Sequence, residues 1–176
     1  MGKLALRGLV LTVVIALLGL GSYALAGGGT KNFTASLEGY QENVDVSTGA
    51  SGSFEAQLSN DGTSLHYVLT YSALEGGTVT AAHVHFGKPG VNGGVSYFIC
   101  GGGGRPPCTT PSGTFEGDVV AADVLGPAGQ GIAAGEFAEI VAAMRAGHTY
   151  ANVHSSPGWP GGEIRGQINN HGEADD

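Results

Sequence analysis

His83 and His85 lie in the stretch AAHVHFGKPGVNG, from Ala81 to Gly93, and are the first residues whose type and spacing could do chemistry. Val79 to Phe86 alternates with period two and reads as a strand. Both histidines then project from one face, and Ala82, Val84 and Phe86 from the other. Imidazoles rooted about 7 Å apart on one face can turn their ring nitrogens toward a single metal ion, at about 2.0 Å each. Gly87, Lys88-Pro89-Gly90 and Asn92-Gly93-Gly94 end the strand and turn the chain tightly. The edge is either a metal site or a polar seam in a β-sandwich.

The elements that must position this edge are mostly short strands. Phe33, Ala35 and Leu37 alternate with polar residues, as do Phe54, Ala56 and Leu58. Asn60-Asp61-Gly62 is a hairpin signal. It leads into Ser64 to Ser72, with Leu65, Tyr67, Leu69 and Tyr71 on one side. Val95 to Ile99, Gly113 to Val120, His148 to Val153 and Gly162 to Ile168 read as further strands. One segment breaks the rhythm. Phe137, Ile140, Val141 and Met144 have helical spacing, with Glu136 and Glu139 early, Arg145 late and Gly147 just beyond. That helix is expected across an open end or edge of the sheets. The fold class is therefore all-β, a Greek-key immunoglobulin- or superoxide-dismutase-like sandwich or flattened barrel with one short helix.

Composition narrows the function classes. Lys3 and Arg7 precede the apolar run Leu9 to Leu20, and Ala24-Leu25-Ala26 offers a small-x-small cleavage pattern. Residues 1–26 are read as a secretory signal, with an uncleaved anchor as the alternative. Residues 27–32 follow as a flexible lead-in, 33–169 as one domain and 170–176 as an acidic tail. The chain beyond the signal has 5 basic residues against 15 acidic ones, a formal net charge of −10. A nucleic-acid partner is excluded on that balance, because phosphate neutralisation needs a basic stripe. The location expected is periplasmic, cell-surface or extracellular, with no membrane span in the mature chain. There Cys100 and Cys108 should close the CGGGGRPPC loop as a disulfide, a soft metal site being the alternative. Glycine runs without GK[ST] give no phosphate cradle, and neither a Gly-x-Ser-x-Gly elbow nor EF-hand spacing occurs.

Three motifs in order carry a family resemblance: AAHVHFG with its Asn-Gly turn, the Gly147 to His154 stretch GHTYANVH, and GGEIRGQ from Gly161 to Gln167. Over Phe33 to Ile168 the chain resembles the CHRD domain, a module first described in chordin and found in secreted bacterial proteins. The resemblance implies a fold like that of copper–zinc superoxide dismutase. In that enzyme an H-V-H strand and a later V-H strand end supply copper ligands, and His83, His85 and His154 match them. The departures are as informative. No histidine occurs from 86 to 147, where the bridging and zinc ligands belong. Arg165 lies about three positions beyond the place of the enzyme's guiding arginine, and the disulfide pairing differs.

The resemblance thus implies a non-catalytic binding or assembly module with no certain cofactor, or a copper-binding protein related to a copper-only dismutase. Imidazole suits copper, zinc or nickel. Ring nitrogens within about 4 Å of one another would favour metal; otherwise His83 bonds to backbone in a barrel seam, and Asn152 and His154 satisfy neighbouring strand ends. His66, His148 and His171 read as surface residues. Glu163 and Arg165, two apart on the last strand, are expected to clamp each other or neighbouring loops, the structural reading being an ion pair that anchors the loop Ser155 to Gly162. Trp159, on that loop, is expected with Tyr97 and Phe98 at a binding surface for a protein or surface partner, or folded back on the core. Neither the partner nor an oligomeric state can be read from the sequence.

Overall fold

The computed structural model describes residues 31–170. The expected secretory signal 1–26, most of the expected lead-in and the tail from His171 lie outside the described residues. Nine strands and one α-helix follow in order: β1 (Asn32–Glu38), β2 (Ser51–Leu58), β3 (Ser64–Ser72), β4 (Gly77–Phe86), β5 (Gly94–Cys100), β6 (Gly113–Val120), α1 (Phe137–Arg145), β7 (Thr149–Pro157), β8 (Trp159–Gln167) and β9 (Asn169–Asn170). β1 starts inside the expected lead-in and β9 takes in Asn170, the first residue assigned to the tail.

The strands pair antiparallel in the order β5-β4-β7-β8-β1-β2-β3-β6, with β9 on β1. The β3–β4 and β6–β7 connections join strands that are not neighbours, as a Greek key requires. β8 meets β1 at one paired position, Glu38 with Arg165, and the strands together form a nearly closed barrel.

Alternation decides what goes inside. Phe33 and Leu37 on β1, Phe54 on β2, and Leu65, Tyr67, Leu69 and Tyr71 on β3 face the core beside Ala82, Val84, Ile99, Val153 and Ile164. Burying each of the larger apolar side chains is worth about 1.5–3 kcal/mol against exposure. α1 adds Phe137, Ile140 and Met144 to this core. Its outer side forms a cleft with Lys31 and the β2–β3 turn, so the helix closes one end of the barrel.

Cys100, at the end of β5, and Cys108 form the expected disulfide. Its enclosed loop is short, so the double replacement Cys100→Ser/Cys108→Ser should lower stability by about 2–3 kcal/mol. Urea unfolding of oxidised protein and variant measures this directly; equal midpoints would show that the loop is held by its other contacts.

Candidate metal centre

Register brings the histidines together. On β4, His83 is opposite Asn152 of β7 and His85 is opposite Tyr150. Asn152 is in turn opposite Arg165 of β8, and Tyr150 opposite Gln167. Directly paired residues point to the same face, so these six side chains form two cross-strand rows outside the core. His154, two residues beyond Asn152, shares that face, and its partner on β4 is Ala81. The small alanine lets the imidazole lean toward His83, whose ring centroid lies 4.5 Å away.

The result is a compact three-imidazole group. The centroids of His83 and His85 are 4.4 Å apart, and one ligand nitrogen from each of the three rings lies within 4.8 Å of the others. That span exceeds the expected 4 Å, and nitrogens bound tetrahedrally at about 2.0–2.1 Å would be about 3.4 Å apart. The set is assembled but not drawn to bonding distance, and the broad imidazole χ2 torsion supplies the rotation needed.

The donors fit a metal in chemical state as well as position. His83 Nδ1 and His85 Nε2 are buried and have no hydrogen-bond partner. His85 Nδ1 lies 2.8 Å from the Gly93 carbonyl oxygen, which calls for an N–H there and leaves Nε2 with a bare lone pair. Burial pushes the His83 imidazole down to about 3, with the neighbouring histidines adding to the effect. Burial likewise takes His85 down to about 4, against the opposing Gly93 hydrogen bond. His154 is lowered too, by burial. Its Nδ1 faces the Pro160 carbonyl at 3.0 Å and its Nε2 faces Asn152 Oδ1 at 2.6 Å. A neutral ring has only one N–H for these two acceptors. One nitrogen is therefore poorly served, and a cation would relieve it.

A layer of polar residues covers this face. Asn152 Nδ2 donates to Glu42 Oε1 at 3.1 Å, and burial raises the Glu42 pKa despite that bond and the charge of Arg165. Gly162, at φ 131°, makes the approach feasible, since a Cβ there would collide with both Glu42 Oε1 and Asn152 Nδ2. Arg165 is 1% exposed and donates to the Lys88 and Val91 carbonyls at 3.2 and 3.0 Å. Its guanidinium carbon sits 3.4 Å from the Tyr150 ring centroid, and Tyr150 stacks in turn on His85 at 4.6 Å. Arg165 thus fixes the turn that carries Gly93, the carbonyl that orients His85.

Some expectations for this region need correction. Glu163 and Arg165 share a face but make no ion pair with each other. Glu163 instead accepts from Thr48 Oγ1, Ser155 Oγ and the amides of Glu75 and Gly76, so it anchors the β3–β4 connection, while Arg165 anchors residues 88–92. Ser155 to Gly162 is not a loop, because β7 and β8 run through it as a tight hairpin. Tyr97 is fully buried and belongs to the core, since β5 alternation turns it inward and its neighbour Phe98 outward. Phe98 packs edge-on against His83 at 5.1 Å. Trp159 is half-buried over Gly76 and lines a cleft with Glu42, Asn92 and Pro160. Glu42 had no signal in the sequence, lying in a polar stretch far from the motifs. His66 and His148 are on the surface, as expected.

An antiparallel Greek-key domain with a histidine-bearing polar face is the class that fold and site define. The CHRD domain family model matches residues 33–168, and the chain belongs to that family. No curated protein matches the chain. No solved structure matches it either.

Proposed function

We propose that this protein is an exported, non-catalytic binding module that holds one transition-metal ion, with copper the foremost candidate, on His83, His85 and His154. The observation that carries the reading is the pairing of geometry with chemical state: three neutral imidazoles converge, and two buried nitrogens lack any partner. Buried polar atoms of that kind are uncommon without a ligand or water to satisfy them. Export is supported by the disulfide, which persists in oxidising compartments. Among the described residues no helix is long and apolar enough to cross a membrane.

Titration of the purified protein with copper and with zinc, followed by elemental analysis, tests this. Trp159, the sole tryptophan, serves as an intrinsic fluorescent reporter beside the site. The expected result is one tight equivalent that the His83→Ala/His85→Ala variant loses while keeping its β circular dichroism. Binding no greater than in the variant would leave the histidines as seam residues, and the search would move to partners of the Trp159 cleft. Superoxide turnover by the loaded protein would instead make it an enzyme.

A further inference from the structure

We propose that the three-histidine face selects copper in its monovalent state, in preference to divalent copper or zinc. The inference rests on the metal reading above and follows from the site's donors and charges.

Only neutral donors converge. Among the described residues no carboxylate joins the three imidazoles, and both cysteines are consumed by the disulfide. Met144, the only described methionine, is on α1 and buried in the core. The flanks are aromatic: Phe98 stands edge-on to His83 and Tyr150 lies flat on His85 at an interplanar angle of 4°. Monovalent copper is satisfied by three nitrogens. Divalent copper favours tetragonal surroundings and zinc a fourth ligand, and among the described residues no fourth histidine, cysteine or carboxylate joins the set.

Charge points the same way. A divalent ion brings two positive charges into a buried site, where uncompensated charge is costly. The stack His85–Tyr150–Arg165 already places a guanidinium behind the site. Glu42 is the carboxylate tied to this face through Asn152, and it interacts with Arg165, so its charge is largely spent. Glu163, the other buried acid, is surrounded by hydrogen-bond donors from Thr48, Glu75, Gly76 and Ser155. Little negative charge remains to compensate a metal. The ion that brings the least charge is favoured.

Competition against a chromophoric chelator under anaerobic, reducing conditions gives the affinity for monovalent copper; matched titrations give those for divalent copper and zinc. Monovalent copper should be held at least about tenfold more tightly than divalent copper. That preference would raise the potential of the bound couple by about 59 mV or more over aqueous copper. Arg165→Gln, which removes the cation, should narrow the preference, whereas Arg165→Lys, which keeps the charge but loses the fork, should retain it. X-ray absorption of the loaded protein should show three nitrogen neighbours. Divalent copper or zinc bound as tightly as monovalent copper would overturn the selectivity and leave the metal reading standing. Failure to bind copper in either state would overturn the selectivity, and failure to bind zinc as well would overturn both.

Discussion

Replacing Glu163 by alanine should lower the stability of the protein by about 3–5 kcal/mol, a large share of the roughly 5–15 kcal/mol of an ordinary domain. The Glu163 side chain is fully buried. Its Oε1 accepts from the Glu75 amide at 2.6 Å and from Thr48 Oγ1 at 2.9 Å. Its Oε2 accepts from the Gly76 amide at 3.1 Å and from Ser155 Oγ. Truncation would leave two backbone N–H groups and two hydroxyls without their acceptor. Space is short as well, because a Cβ on Gly76 would meet Ser155, Trp159 and Glu163 together. Glu163→Gln keeps the shape and one accepting oxygen but points an NH2 group at donors, so it should cost about 2 kcal/mol. Urea unfolding at neutral pH measures both variants. A loss below about 1 kcal/mol for the alanine variant would mean that the β3–β4 connection is held mainly by other contacts.

Acid should destabilise the metal-free protein by on the order of 5 kcal/mol between pH 6.5 and pH 4. His83 and His85 titrate near 3 and near 4 when folded, against an ordinary value near 6.5. The unfolded chain therefore takes up protons below about pH 6.5 that the folded chain refuses. The stability tied to these neutral rings is fully present above pH 6.5 and falls by about 1.4 kcal/mol per ring per pH unit. The loss levels off below their folded values. Glu42, raised by burial, titrates in the opposite sense and offsets part of it. Urea midpoints from pH 7.5 to 4.5, with chelator present, should trace this slope, and His83→Gln/His85→Gln should flatten it. An equally stable protein at pH 7 and pH 4.5 would show that the rings accept protons where they stand.

Strands that follow strict alternation were legible to the residue. β3 and β6 occupy Ser64–Ser72 and Gly113–Val120, the bounds read from the sequence, because burial there alternates residue by residue. The shared face of His83 and His85 follows from period two alone. His154 needed the family resemblance, because its place beside them depends on β7 pairing with β4 across about 70 residues of chain. Prolines and glycines hid the β7–β8 hairpin, since Pro157, Pro160 and Gly161-Gly162 carry turn signals although only Gly158 lies between the strands. Tyr97 and Phe98 were grouped by composition, and the pleat separates them. Glu42 was out of reach because its role exists only through a hydrogen bond to Asn152, 110 residues away.

The gap between β5 and β6 is where the barrel fails to close, and an open strand edge is a template for pairing with another chain. The cystine loop lies over this gap. Arg105 within it donates to the Asp118 carbonyl of β6 at 2.9 Å and pairs with Asp123 at 3.1 Å, while Gly102 and Gly103 rest on Phe98 of β5. The disulfide therefore does more than shorten the unfolded chain: it keeps a cover over both unpaired edges. Without that cover more of both edges would be open to pairing with other strands.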